Sequence, residues 1–281
     1  MSSTDLIQLM QVIALFCVSG TLAGILAGLL GIGGGIIFVP VYYYSFTYFF
    51  HIDPADAIIM ATTSSIFTMI PTSLSSCFSH LRRGNIDKKL FIKWLPFLIL
   101  GVLLGTILSK IYGGLWLSTL FGCILLFAAL NMIVISKMPP MFENLPKPPY
   151  QYIMPTIISC VSVMLGIGGG TLTVPTLSVF RYDTVKAIGT AAAVGTVICI
   201  PGAVFILFRE LVSDVTINNS PVLTCGHIVF LAILAVIPFS MFMAPVGVAI
   251  NKRIPPAKLK VIYGVLLIFT GTKMLLNGLG I

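Results

Sequence analysis

Residues 30–40 read LGIGGGIIFVP, and residues 165–175 read LGIGGGTLTVP. Both stretches carry the run Leu-Gly-Ile-Gly-Gly-Gly, and in both a Val-Pro pair follows after three further residues. The second copy begins 135 residues after the first in a chain of 281 residues. Self-similarity of this kind is typical of a duplicated structural unit. The sequence therefore predicts two related halves, each with one glycine loop, at residues 31–35 and 166–170.

A proline-rich stretch marks the boundary between the halves. Residues 137–150 read KMPPMFENLPKPPY and contain five prolines, a density at which a helix cannot continue. We therefore predict a first repeat over residues 1–136, a linker over residues 137–151 and a second repeat over residues 152–281.

The composition places both halves in a membrane. Apolar residues make up 58% of the chain and charged residues only 9%, and the mean hydropathy is +1.08. A soluble domain carries roughly 25% charged residues, so this chain could not cover a water-exposed surface. Soluble enzymes, nucleic-acid binders and disordered proteins are excluded as classes. The net charge of +8 is better explained by basic cytoplasmic loops than by binding to nucleic acid.

Ten apolar stretches are candidates for helical segments, five in each half. We predict an all-α polytopic membrane protein of about ten transmembrane or re-entrant segments. The segments are residues 6–30, 36–50, 57–79, 91–109 and 115–136 in the first half, and residues 152–165, 171–180, 186–208, 226–250 and 259–279 in the second. Because five is odd, the second half should run through the membrane in the opposite direction, as in the inverted repeats of secondary transporters.

The distribution of basic residues predicts the orientation. Thirteen of the sixteen lysines and arginines fall in or beside four loops that alternation places on one side of the membrane, at residues 80–93, 137–150, 181–186 and 251–260. The positive-inside rule assigns this side to the cytoplasm. Both termini are then predicted on the non-cytoplasmic side.

The segments beside the second glycine loop are short. Residues 171–180 would extend about 15 Å as a helix and residues 152–165 about 21 Å, whereas the hydrocarbon core is about 30 Å thick. We therefore predict a re-entrant hairpin with Gly166 to Gly170 near the membrane midplane. Non-helical backbone at that depth is tolerated only where it lines an enclosed or water-filled cavity.

Each glycine loop leads into a helix, expected to begin near Ile36 and Thr171. Helix N-termini carry free N–H groups and a partial positive charge, so the two together would form an anion site. The alternative is that the glycines only permit a tight turn between packed helices. Two copies in inverted halves, one beside a segment too short to span, favour the anion site.

Hydroxyl groups near the loops would complete this site, because no Lys, Arg, Asp or Glu lies in the middle of a predicted segment. The alternative for each hydroxyl is a hydrogen bond to the carbonyl four residues earlier in its own helix. The candidate substrate-binding residues are Gly31, Gly33, Gly34, Gly35, Thr62, Thr63, Ser64, Ser65, Gly166, Gly168, Gly169, Gly170, Thr171 and Thr190.

Residues that would carry catalysis or bind a cofactor form no recognisable pattern. The six cysteines include no CxxC pair, the three histidines form no HExxH motif, and all three lie near segment ends. A membrane enzyme would need a nucleophile and base, or a metal constellation. We predict no enzymatic activity, no metal site and no cofactor.

The paired LGIGGGxxxVP stretches, the Thr63-Ser64-Ser65 region and the sequence HLRRGNID at residues 80–87 resemble the sulfite exporter TauE/SafE family. The resemblance covers nearly the whole chain. It implies about ten segments in inverted repeats and a route from the cytoplasm outward for sulfite or small organosulfonates. At matching positions it implies, as candidate ligands, Gly33, Gly34, Gly35, Gly168, Gly169 and Gly170.

The sequence therefore predicts a secondary transporter of the inner membrane that exports a small sulfur-containing anion by alternating access. Its expected partners are the anionic substrate, the lipid bilayer and a second copy of the chain in a homodimer, with no nucleic acid. Two alternatives stay open: an anion channel, and a membrane accessory or assembly protein without transport of its own.

Overall fold

The computed structural model describes residues 3–133, 145–180, 182–212, 221, 223–251 and 253–280. Within these residues the chain forms ten α-helices and one short antiparallel hairpin. The helices are α1 (Ser3–Leu30), α2 (Gly35–Phe49), α3 (Pro54–Arg82), α4 (Lys88–Ile111), α5 (Leu115–Ile133), α6 (Tyr150–Leu165), α7 (Gly170–Val179), α8 (Thr184–Val212), α9 (Phe230–Asn251) and α10 (Pro256–Gly278). The strands are β1 (Thr224–Cys225) and β2 (Ile228–Val229).

Five of the helices are long and apolar enough to cross a membrane, in whole or in large part: α1, α3, α4, α8 and α9. Shorter apolar stretches lie in α5, α6 and α10. This composition confirms the predicted all-α polytopic membrane protein. The predicted domain boundary at the linker stays a prediction, because residues 134–144 lie outside the described residues.

The segment ends differ from the predicted ones most around the connection from α8 to α9. Helix α8 continues to Val212 instead of ending at residue 208, and α9 begins at Phe230 instead of residue 226. The apolar residues just before α9 belong to the β1–β2 hairpin, in which Cys225 pairs with Ile228. A short apolar run does not show whether it is strand or helix, which explains the error.

Each half opens with an antiparallel pair of helices whose turn is a glycine loop. In the first half, the Phe16 ring of α1 lies edge-on to the Tyr42 ring of α2, with centroids 5.4 Å apart. In the second half, Gln151 at the start of α6 accepts a hydrogen bond from Lys93 Nζ at 2.8 Å. Tyr182, just after α7, donates to Asp87 at 2.6 Å. Both ends of the α6–α7 pair therefore lie beside the α3–α4 connection, as a re-entrant hairpin requires.

The central helices α3 and α8 run antiparallel. Gly189 near the start of α8 lies against Asn85 beyond the end of α3, whereas Gly202 further along α8 faces Ile66 near the middle of α3. Helices α5 and α10 are also antiparallel, with Gly122 against Leu275. This is the packing that an inverted repeat predicts. We call the end of the bundle with residues 83–87 the α3–α4 face, and the end with the β1–β2 hairpin the α8–α9 face.

Two further helix pairs cross at close range through small residues. Gly24 and Gly28 of α1 lie against the backbone of α9 at Ser240 and Ala244. Gly105 of α4 lies against the Cys160 backbone of α6. Glycine at such crossings lets helix backbones approach closely, which is how membrane helices associate. The pairs α1–α9 and α4–α6 also correspond to each other when the halves are exchanged.

Candidate functional site

The two glycine loops cross each other inside the bundle. A methyl group built on Gly35 would lie 2.5 Å from Gly166 O and 2.6 Å from Ile167 Cα. Reciprocally, a methyl group built on Gly170 would overlap Gly31 O and lie 2.7 Å from Ile32 Cα. The start of each short helix is thus pressed against the loop of the other half. The eight candidate glycines lie together, and all are buried.

The loops also need glycine for their backbone conformation. In the first loop φ is 70° at Gly31, 74° at Gly33 and 96° at Gly34. In the second loop φ is 63° at Gly166 and 67° at Gly168. Residues with a Cβ rarely adopt such values. The duplicated glycine motif therefore encodes both the shape of each loop and the close contact between the loops.

The helices that leave the loops begin without a side-chain cap. Gly34 is the N-cap of α2 and Gly169 is the N-cap of α7, and neither has a side chain that could bond the first-turn N–H groups. The helices begin at Gly35 and Gly170, one residue earlier than predicted. The Met69 sulfur of α3 lies near both loops, 3.3 Å from a methyl group built on Gly33 and 3.1 Å from one built on Gly168.

The hydroxyl run of α3 lies beside the second loop, but its members differ in their contacts. Ser65 Oγ donates to Gly166 O at 2.8 Å, and Ser64 Oγ accepts from Val229 N at 3.0 Å. Thr62 Oγ1 donates to Ile59 O of its own helix at 3.0 Å. Of these three side chains, only Ser65 bonds a glycine loop directly.

Two further predicted hydroxyls, those of Thr171 and Thr190, make other contacts. Thr171 Oγ1 donates to Ile167 O, four residues earlier, at 3.2 Å, which is the alternative that the sequence left open for it. Thr190 Oγ1 accepts from Asp87 N at 3.0 Å. The contact that the structure describes for Thr190 therefore ties α8 to the α3–α4 face.

Three polar side chains outside the predicted binding residues fix the end of α1. Ser76 Oγ donates to Ala27 O at 3.2 Å, His80 Nε2 lies 3.0 Å from Gly28 O, and Asn251 Nδ2 donates to Leu29 O at 2.5 Å. These carbonyls belong to the last turn before the first glycine loop. His80, which the sequence places near a segment end, is fully buried.

A charged cluster lies at the α8–α9 face, where the sequence predicted a loop. Glu210 is buried in the last turn of α8, and its carboxylate accepts from Arg209 Nη2 at 2.6 Å and from His227 N at 3.0 Å. His227 Nδ1 lies 2.9 Å from the same carboxylate. Helices α3 and α8 both contain 29 residues. Counted from the first residue of each helix, Glu210 occupies the same position in α8 as His80 does in α3.

Two cavities meet at Arg209. The smaller has a volume of about 10 Å³ and is lined by Thr62, Thr63, Ser109 and Arg209 among others. The larger, about 260 Å³, is a groove open at the bundle surface and is lined mainly by apolar side chains of α4 and α8 and again by Arg209. The smaller one lies next to the second glycine loop, since Thr62 contacts Gly166. Thr62 and Thr63 are thus predicted substrate-binding residues that line this cavity.

Asp87 organises the α3–α4 face. Its Oδ1 accepts from Lys89 N at 3.0 Å and from Leu90 N at 3.1 Å, which caps α4. Partial burial raises the pKa of Asp87, but the hydrogen bonds from Tyr182, Leu90 and Lys89 outweigh it and leave the pKa below its ordinary value. Burial, and then the bond to Asp87, raise the pKa of the Tyr182 phenol.

Replacing Asp87 by Asn should lower the stability of the protein by about 1 kcal/mol at pH 7. Since the folded-state pKa lies below the ordinary value of 3.8, this contribution is complete above that value and disappears as the pH falls through the folded pKa. Unfolding midpoints of wild type and Asp87→Asn in detergent should therefore differ equally at pH 7 and pH 5, and the difference should shrink as the pH falls below 3.8. A difference between the two unfolding midpoints that stays the same at every pH would contradict the lowered pKa of Asp87.

Among the described residues, no group of three or more His, Cys, Asp or Glu side chains could hold a metal ion.

Comparison with known proteins gives one family and several relatives. The family model described as "Sulfite exporter TauE/SafE" matches residues 16–274. A probable membrane transporter protein of Haemophilus influenzae is 28% identical over 261 residues, which cover 92% of this chain and 96% of the relative. A probable membrane transporter protein of Methanocaldococcus jannaschii is 26% identical, with 96% and 97% covered.

A third relative, the probable membrane transporter protein YunE of Bacillus subtilis, is 26% identical over 93% of this chain and 97% of its own length. No solved structure matches this chain.

Proposed function

Because this chain belongs to the sulfite exporter TauE/SafE family of membrane transporters, we propose that it exports a small sulfur-containing anion, of the sulfite or organosulfonate class, by alternating access. The observation that carries the proposal is the crossing of the two glycine loops inside the bundle. The family description supplies the substrate class, and the loops supply the candidate binding site.

The crossing lies well inside the bundle. The second loop contacts α3 at Thr62, and both loops approach Met69. At the rise of an α-helix, Thr62 lies about 12 Å from the start of α3 and Met69 about 20 Å from its end. Irregular backbone at such depth is a feature of transporter binding sites, in which broken helices meet near the membrane midplane.

The chemistry around the crossing suits an anion held without a fixed countercharge. The uncapped N-termini of α2 and α7 both begin there, and a helix N-terminus attracts negative charge by about 0.3–2 kcal/mol. The hydroxyls of Thr62, Thr63 and Ser65 lie on the adjoining helix, and those of Thr62 and Ser65 would donate to an anion by giving up their bonds to Ile59 O and Gly166 O. Binding should be modest, which favours release on the far side.

The closed crossing and the inverted halves favour alternating access. The cavity beside the second loop has room for about one water molecule, so an anion would need the halves to separate before it could bind there. Rocking of one half against the other would open the crossing to one face at a time. The basic loops orient the protein with the α3–α4 face in the cytoplasm and the termini outside, in the inner membrane.

Transport into liposomes tests the proposal. Purified protein is reconstituted, and uptake of sulfite, sulfate, thiosulfate, sulfoacetate and alanine is compared with that of protein-free vesicles. We expect saturable uptake of at least one sulfur oxyanion and none of alanine. If folded protein carries none of the sulfur anions, the substrate class is wrong, and the accessory role becomes the better explanation.

A further inference from the structure

Arg209 forms the wall between two spaces of different character. On one side lies the cavity of about 10 Å³ with Thr62 and Thr63, beside the second glycine loop. On the other side lies a groove of about 260 Å³ between α4 and α8, which is open at the bundle surface and lined by exposed apolar side chains such as Ile107 and Ile111. A sulfur oxyanion is larger than the single water molecule that fits the inner space. For an anion to pass between the α8–α9 face and Thr62 and Thr63, Arg209 has to move.

The contacts of the guanidinium group show which side of it can yield. Nε and Nη2 donate to the buried Glu210 carboxylate at 2.9 Å and 2.6 Å. Nη1 points to the other side, toward α4, where it donates to Ser109 Oγ at 3.3 Å. Ser109 also lines the inner cavity. The longest of these three hydrogen bonds is therefore the one that borders the inner cavity.

A guanidinium group held in this way is suited to an oxyanion. Its planar fork matches the geometry of oxyanion groups, and its hydrogen bonds to charged acceptors are stronger than those to neutral ones. An oxyanion that replaced Ser109 as the acceptor of Nη1 would exchange a long bond to a neutral hydroxyl for a bond to a negatively charged oxygen. The Glu210 carboxylate meanwhile fixes the other edge of the guanidinium.

We propose that Arg209 is a specificity-determining residue of the transport path: it binds the oxyanion group of the substrate between the hydroxyls of Thr62 and Thr63 and the α8–α9 face. This inference rests on the proposed function and adds the residue that selects for negative charge. In the first half, the corresponding position holds Ser79. The two ends of the path therefore differ, because only the second half has a guanidinium group at this position.

The test uses sulfite in two assays. The first measures the half-saturating sulfite concentration for uptake into liposomes. The second measures how far sulfite raises the unfolding temperature of the protein in detergent. Arg209→Gln should raise the half-saturating concentration about tenfold or more, since hydrogen bonds to charged groups are worth that factor. Arg209→Lys should raise it less, because it keeps the charge but not the fork. The maximal rate should change less than the half-saturating concentration.

Lys273→Gln is the matched control. It removes one positive charge from α10, where the ammonium lies 5.9 Å from the Tyr44 ring centroid and lines neither cavity. Because Arg209→Gln alone leaves the Glu210 carboxylate without its guanidinium, the double variant with Glu210→Gln shows whether a folding defect is responsible. We expect Lys273→Gln to behave as wild type and the double variant to behave as Arg209→Gln.

An unchanged half-saturating concentration in Arg209→Gln, or an equal rise in Lys273→Gln, would overturn the inference. If sulfite is not transported but raises the unfolding temperature only when Arg209 is present, the proposed function fails and the binding role of Arg209 stands. If sulfite is neither transported nor bound, both are wrong.

Discussion

Gly170→Ala and Gly35→Ala should each reduce sulfite flux by a factor of ten or more. In both variants the new methyl group would meet main-chain atoms of the opposite glycine loop: Gly31 O for the first, Gly166 O and Ile167 Cα for the second. Backbone cannot turn away as a side chain can, and overpacking of this kind costs about 1–3 kcal/mol. The loops must therefore separate, which would distort the crossing that we propose as the binding site.

Two further glycine variants calibrate this result. Gly113→Ala places a methyl group between α4 and α5, where the nearest atom is Cδ1 at the end of the flexible Ile59 side chain, at 3.2 Å, so its flux should be close to that of wild type. In Gly33→Ala the obstacle is the flexible Met69 side chain, so strain from the positive φ should dominate and the loss should be intermediate. Equal flux in Gly113→Ala and Gly170→Ala, both folded by gel filtration, would show that the crossing is dispensable.

Removing the Glu210 carboxylate should cause the largest loss of stability. Glu210→Ala would leave the Arg209 guanidinium without its carboxylate partner and remove the acceptor of His227 N. Breaking a buried ion pair from one side costs about 3–5 kcal/mol. The hairpin that leads into α9 should loosen as well, because Gly226 packs directly on this carboxylate. Thermal unfolding in detergent measures the loss.

Asp183→Ala is the comparison for this prediction. Asp183 is an exposed carboxylate beside the other end of α8 and caps the helix by accepting from Lys186 N at 2.8 Å. Losing that cap should cost about 1 kcal/mol. Equal losses of stability in Glu210→Ala and Asp183→Ala would mean that the buried Glu210 carboxylate contributes no more than an exposed carboxylate that caps a helix.

Much of the fold is readable from the sequence because a membrane imposes simple rules. Length and hydropathy predict the long helices, and the two short segments beside Gly166 predict a hairpin that returns to its own side. The positive φ at Gly31 and Gly34 was foreseeable from the run of glycines. The direct contact between the loops was expected from the repeat. Its reciprocal form is seen only in the structure, where Gly35 packs on Gly166 and Gly170 packs on Gly31.

The polar side chains were much harder to predict. His80 and Glu210 lie near segment ends, where a single sequence cannot tell a buried group from an interfacial one. Their partners lie elsewhere: Gly28 O is 52 residues from His80, and His227 is 17 residues from Glu210. One signal was present, since the two residues occupy equivalent positions in α3 and α8. The hydroxyl run of α3 lies beside the second loop, but only the structure separates Ser65, which bonds Gly166 O, from Thr62, which bonds its own helix.

The most direct test of alternating access is sulfite counterflow in liposomes that contain the wild-type protein. Vesicles are loaded with unlabelled sulfite and diluted into a trace of labelled sulfite, with the membrane potential clamped at zero. The account predicts that labelled sulfite accumulates transiently above its equilibrium level and enters faster than into empty vesicles, because each return of the binding site carries an anion. Entry that is saturable or linear but indifferent to internal sulfite would contradict the account and identify a channel.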